Sequence, residues 1–208
     1  MLAALINKKM ENNLVIDSLT AKLKDCSLKK LSASEEENIV NVISRFNSLV
    51  NYSLVLLTEA VEISKNGNVS YLLLLNLNTT FKGVKVPQSE SRISEYELIG
   101  VAVLKKNYEQ VLIRPETIED KLNDLFAHTD IDFDFDKQFS KKYCVEATNE
   151  ELLRMNISAH FLEAIREVDG LEIEIDGKIL IARLRKPFTP ENGELIAKFI
   201  TEINNGRN

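Results

Sequence analysis

Cysteine, glycine and proline are scarce in this 208-residue chain. The two cysteines, Cys26 and Cys144, stand far apart and belong to no C-x-x-C pair or Cys/His cluster. That excludes a sequence-readable zinc site, a redox motif and a disulfide scaffold, and it points to a reducing, cytoplasmic interior. None of the seven glycines falls in G-x-G-x-x-G or G-x-x-x-x-G-K-[ST], so the backbone cradles of the usual nucleotide-binding folds are missing. The nucleophile elbow G-x-S-x-G is missing as well. No apolar run approaches the roughly 20 residues of a bilayer span, and the apolar start Met1-Leu2-Ala3-Ala4-Leu5-Ile6 is too short for a signal core. No membrane span is therefore expected in this chain. Basic residues are in the minority, 26 against 32 acidic, and the net charge of −6 argues against a nucleic-acid partner. What remains is a globular composition, 44% hydrophobic and 28% charged, in a chain long enough to bury roughly 70% of the surface its unfolded form exposes.

Gly67 is the first glycine and Pro87 the first proline, and the apolar rhythm before them is helical. A first helix is expected over residues 2 to 25, with Leu14, Ile16, Leu19 and Leu23 as its stripe. Ser34 and Glu37 form a capping box that opens a second, long helix. Its apolar positions Ile39, Val42, Ile43, Phe46, Leu49, Val50, Leu54, Leu57 and Val61 carry it to about residue 64, where Lys65-Asn66-Gly67-Asn68 is the stop. The rival reading makes residues 53 to 63 a strand.

From Val69 the rhythm changes, and the apolar run 71–77 reads as a buried strand. Further strands are expected at 83–86, 98–104 and 108–113, the last two as a hairpin joined by Lys105-Lys106-Asn107, with a polar surface loop over 87–96. Pro115 and the acidic residues after it open a short helix to about 127. Thr148 and Glu151 form another capping box, and the helical stretch behind it breaks near 156–158 and ends at Asp169-Gly170, with Ile157, Phe161, Ala164, Ile165 and Val168 on one face. Asp176-Gly177 is a two-residue hairpin loop. It sets Ile175 opposite Lys178 and Glu172 opposite Ile181, with the glutamate-bearing strand at an edge of the sheet and the 178–184 strand inside it. Thr189-Pro190 opens a last helix with Leu195, Ile196, Phe199, Ile200 and Ile203 buried.

Chemistry-bearing residues are few. Asp130-Ile131-Asp132-Phe133-Asp134-Phe135-Asp136 opens like a calcium-binding D-x-D-x-D loop, which makes Asp130, Asp132 and Asp134 the candidate metal ligands. The sixth and twelfth positions are Phe135 and Lys141, where such a loop needs glycine and glutamate. Strict alternation reads instead as an edge strand, along which four aspartates would span about 20 Å and could not share one ion. The only histidines, His128 and His160, have no partner readable from spacing. No catalytic residue and no cofactor are therefore expected. Charge is uneven: residues 115 to 176 hold 17 acidic and 6 basic side chains, while Lys22, Lys24, Lys29, Lys30 and the Arg183–Lys186 stretch are basic. The basic groups read either as a docking surface or as complements to the acidic block, and the second is favoured.

Phe139-x-x-x-Tyr143-x-Val145, the leucine-rich helix after it, the Asp176-Gly177-Lys178 hairpin and Phe81-Lys82-Gly83 resemble an uncharacterised bacterial family, a domain of unknown function. The likeness covers about the last 130 residues and implies an α+β domain without naming an activity. The resulting expectation is an α+β protein with a helical N-terminal segment over 1–65, followed over 66–208 by a mainly antiparallel sheet flanked by helices, the two forming one cooperative unit. Its expected role is non-enzymatic binding or scaffolding through the helical segment, with a protein partner or self-association. The alternatives are a carboxylate- or metal-dependent hydrolase using 128–136, and a membrane-tethered accessory domain.

Overall fold

The computed structural model describes residues 22–23, 25–80, 92–117, 130–184, 186 and 189–205. In chain order the elements are β1 (Ser27–Lys30), α1 (Ala33–Ile43), α2 (Asn47–Val50), β2 (Leu54–Lys65), β3 (Asn68–Thr80), β4 (Arg92–Val103) and β5 (Gln110–Pro115). They continue with α3 (Lys137–Ser140), β6 (Tyr143–Ala147), α4 (Glu150–Asn156), α5 (Ala159–Arg166), β7 (Leu171–Asp176), β8 (Ile179–Leu184) and α6 (Pro190–Asn205). The strands form one eight-stranded antiparallel sheet in the order β1-β2-β3-β4-β8-β7-β5-β6. The fold is mixed α+β.

Each face of the sheet has its own core. On one, Leu72, Leu74, Leu98, Ala102, Leu180, Ala182, Ile173 and Ile113 lie under Ile196, Phe199 and Ile200 of α6 and Phe161 and Ile165 of α5. At Gly100 a Cβ would stand 2.6 Å from Cγ2 of both Ile196 and Ile200, so glycine is what lets α6 seat directly on β4. On the other face Leu73, Leu75, Leu77, Ile99, Val101 and Ile181 lie under Ile39, Ile43, Phe46 and Leu49, an arm built from α1 and α2.

The expected N-terminal helices give way to a mixture. Only Lys22, Leu23 and Asp25 of the first helix lie among the described residues, and Ser27–Lys30 is a strand. The second helix opens two residues earlier than expected, with Ser32 as cap and Glu35 accepting from the Ser32 N–H at 2.7 Å. It stops at Ile43 rather than 64, and Leu54–Lys65 is strand β2, the rival reading. The alternation in β2 is broken by a bulge between Leu57 and Glu59, which mixes the period-2 pattern into something that scans as helical. Asn66 (φ 52°) and Gly67 (φ 79°) are both left-handed, as a two-residue primed hairpin turn requires, so the expected helix stop joins β2 to β3. The border drawn at 65/66 falls in that turn.

Other expectations shift for similar reasons. β4 and β5 do not pair: β4 joins β3 and β8, and β5 joins β7 and β6. Their connection instead wraps the tip of the β7–β8 hairpin, where the Leu104 N–H donates to the Lys178 carbonyl, the Tyr108 N–H to the Gly177 carbonyl and the Gly177 N–H to the Glu109 carbonyl. That hairpin turns on Gly177-Lys178, one residue later than expected, setting Ile175 opposite Leu180 and Glu172 opposite Arg183. Both of its strands are interior, so the glutamates of β7 do not mark an edge. The loop expected through 96 yields to β4 from Arg92, and Leu195 is partly exposed. The expected strand at 83–86, the body of the helix at 116–127 and His128 lie outside the described residues. The helical break falls at Ile157 and Ser158, where Ser158 caps α5 through the Phe161 N–H.

Candidate functional site

The Leu171-Glu172-Ile173-Glu174-Ile175-Asp176 alternation sends the apolar residues of β7 to the α5/α6 core and its carboxylates to the opposite face. There the α1–α2 arm stops short of β5 and β6. Between the arm's tip and those strands lies a cleft of about 490 Å³ lined by charged and apolar groups together. Its floor is β7 and β8, one wall is the Arg45–Ser48 turn, and the other is built from Leu112, Arg114 and Glu146.

Charges in the floor are buried or half-buried, and paired. Arg183 on β8 donates through Nε to Glu172 Oε1 at 2.9 Å, through NH2 to the same oxygen, and through NH1 to Glu97 on β4 at 3.3 Å. Glu172 is 2% exposed, and the guanidinium satisfies its Oε1 with two charge-assisted hydrogen bonds. Burial pushes the Glu97 carboxyl up from the usual glutamate value, against the pull of Arg183. For Arg183 itself burial acts to lower the pKa, and the Glu97 and Glu172 carboxylates outweigh it, so it is raised. At the rim Arg45 Nε meets Asp176 Oδ2 at 2.8 Å, and Arg114 meets Glu146 at 3.2 Å. Tyr52 donates to Glu95 Oε1 at 2.5 Å, and burial together with that bond pushes its phenol up to about 12.

Glu174 acts on Arg183 only through space, its charge helping to raise that guanidinium's pKa. It is 7% exposed, and its Oε1 accepts the backbone N–H of Ser48 at 2.9 Å. Ser48 lies in the first turn of α2, whose N–H groups have no intrahelical acceptor, so a carboxylate from a strand 126 residues away serves as its cap. The Ser48 hydroxyl is itself buried without a hydrogen-bond partner. Of the carboxylates that face the cleft, Glu172, Asp176 and Glu146 each hold a guanidinium, while Glu174 holds a neutral amide.

The residues singled out from the sequence are dispersed. Residues 130–136 form a loop and turn rather than a strand. Asp130 accepts the Val145 N–H at 2.6 Å, Asp132 and Asp134 are exposed, and Asp136 caps α3 and pairs with Arg166 at 3.1 Å. Among the described residues no group of three or more His, Cys, Asp or Glu is placed to hold a metal ion. His160 and Cys26 line a second depression of about 470 Å³, where His160 Nε2 lies 3.8 Å from Glu202 Oε1. Cys144 is buried on β6. No helix of the described residues is long and apolar enough to cross a membrane. Of the basic groups, Arg183 and Lys186 answer the acidic block through Glu172 and Asp169, whereas Lys22 and Lys29 pair outside it with Glu194 and Glu35.

Sequence reasoning missed Glu97, Arg183 and Ser48 as a constellation. The signal lay in the hairpin: with Gly177 at the first loop position, Glu172 falls opposite Arg183, and a buried glutamate acquires its counter-ion.

Fold and cleft together define an antiparallel α+β protein with a charged, half-roofed groove on one sheet face. No family model, no curated protein and no solved structure matches the chain.

Proposed function

We propose that the protein is a non-enzymatic binding protein whose cleft receives a cationic side chain, lysine or arginine, from a protein partner. The observation that carries this reading is Glu174, a buried carboxylate on the cleft floor whose hydrogen bond comes from one neutral donor and on which Arg183 acts only through space, while its neighbours are each in direct contact with an arginine. A guanidinium or ammonium entering beside it gains a charge-assisted hydrogen bond that the free protein leaves unmade. Calorimetric titration with Nα-acetyl-arginine amide and Nα-acetyl-lysine amide tests it. Saturable binding is expected, weakened roughly tenfold or more in Glu174→Gln, since a hydrogen bond to a charged group is worth about 1.5–3 kcal/mol. Absence of heat at millimolar probe, or equal binding by the variant, refutes it.

Scaffolding through the N-terminal residues belongs to the same proposal, as does kinship with the uncharacterised bacterial family, which brings no activity with it. Leu23 and Leu31 are buried and Ser27–Lys30 pairs with β2, so a clean truncation removes residues 1 to 21 and no more. Loss of partner recovery with unchanged thermal unfolding is the expected result; full recovery of the same partners removes these residues from the proposal.

A further inference from the structure

The two ends of the sheet are finished differently. Along the outer side of β6 the chain closes its own edge: Asp130 takes the Val145 N–H at 2.6 Å, and the Ile131 N–H donates to the Val145 carbonyl at 2.9 Å. At the other end β1 is four residues long and pairs only with positions 61–64 of β2. Residues 54–60 of β2 run on past it, and among the described residues no strand pairs with their outer side.

A bare edge presents alternating N–H and C=O groups to any extended segment, and proteins usually blunt such edges with lysine, proline or inward-facing charge. β1 carries that protection in Lys29 and Lys30. The stretch Leu54-Val55-Leu56-Leu57-Thr58 has no charge and no proline, and Leu54 and Leu56 are each 47% exposed.

We propose that residues 54–58 pair antiparallel with the same residues of a second copy about a twofold axis through Leu56, joining the two sheets edge to edge. An isologous contact must be self-complementary, residue i meeting j and j meeting i. A side chain keeps its face across a strand pair only if partners share parity, and centring on Leu56 satisfies this: Leu54 meets Thr58, Val55 meets Leu57, and Leu56 meets its own copy. The half-exposed leucines then form one continuous cross-strand row. No like charges face each other in the pair; the first charged residue, Glu59, lies one step beyond it and falls opposite the other copy's Ser53. Thr58 is the extra residue of the bulge between Leu57 and Glu59, so the regular stretch ends at Leu57 and the proposed pairing stops on the bulge itself, because a bulge twists the strand and interrupts the ladder. An uncharged edge has no handle with which to select a foreign strand by charge, whereas its own sequence in reverse fits it.

Sedimentation from 1 to about 500 µM, combined with hydrogen exchange of the 54–58 amides, tests the pairing. A concentration-dependent dimer is expected, with amides of 54–58 gaining protection as it forms. Leu56→Lys sets two ammonium groups against each other on the axis and is expected to weaken the dimer at least tenfold. Because Leu56 is exposed, the monomer's thermal unfolding should change little. A monomer at every concentration overturns the proposal, as does a dimer indifferent to Leu56→Lys. Protection of these amides in a monomer also overturns it, by giving the edge to another part of the chain.

Discussion

Apart from Ser70, whose hydroxyl donates to the Ile200 carbonyl, the face of the sheet under α6 is apolar from β2 across to β5, whereas the opposite face changes character halfway. Under the α1–α2 arm that second face carries leucine, isoleucine and valine; beyond the arm's tip it carries the buried Glu172 and Glu174 and the half-buried Glu97 and Arg183. The same ladder of backbone hydrogen bonds supports both, so the sheet does not decide where chemistry goes. Coverage decides it. Where a helix lies flat on the strands, burial selects hydrocarbon; where the arm stops, charged groups are admitted if each finds a counter-ion or a donor.

A matched pair of substitutions breaks this comparison most strongly. Phe199→Ala, at a buried position of the α6 face, should cost about 3–5 kcal/mol by loss of transfer energy and a cavity. Arg183→Met keeps most of the volume but strands Glu172 and Glu97, and a loss of about 3 kcal/mol is expected, as for breaking one side of a buried pair. Replacing all three, with Glu97→Leu and Glu172→Leu added, should recover most of that loss or exceed the parent, an outcome no further substitution around Phe199Ala's cavity would mimic by removing charge. Urea unfolding of the four proteins measures it. If the triple variant is no more stable than Arg183→Met, the floor is held by shape rather than by pairing.

Acid titration sharpens the same contrast at smaller amplitude. Glu35, exposed at the start of α1, is held from the ordinary 4.5 down to about 2 by the Ser32 N–H and Lys29. A depressed carboxylate contributes stability that is present above about 4.5 and is lost as pH falls toward 2. Glu97 is buried and raised, so its contribution has the opposite sign: it favours the fold at low pH and is lost as pH rises above 4.5 through its folded value. Unfolding measured from pH 2 to 7 should therefore show Glu35→Gln with a shallower acid limb and Glu97→Gln with a gain confined to the upper limb. Identical profiles for both variants would remove the distinction.

Local signals carried much of the architecture. The α4–α5 break, the apolar face of α5, the α6 stripe and the existence of the β7–β8 hairpin are written in residues within a few positions of one another, where capping and periodicity act. β2 was obscured because one bulge residue destroys the alternation by which a strand is recognised, and because its partner pattern lies in β3. The aspartates at 130–136 mimic strand alternation, yet they lie in a loop where Asp130 and Asp136 cap backbone groups and Asp132 and Asp134 are exposed. The cleft was the least visible part. Glu97 reaches Arg183 across 86 residues and Glu174 reaches Ser48 across 126, and the one local clue, Glu172 against Arg183, depends on a turn placed one residue later.

The insertion of the β7–β8 hairpin between β4 and β5 carries a consequence for how the chain is made. The meander β1 to β4 needs only nearest neighbours and can assemble as it leaves the ribosome. β5 and β6 have no place beside it until the hairpin arrives some 60 residues later in the chain. Contacts of such long sequence separation close late and slowly, and an incomplete sheet exposes unpaired strands to neighbours in the meantime. The β7–β8 hairpin thus acts as the keystone of the chain's own synthesis: a chain released before it keeps most of its strands and lacks the two that join them.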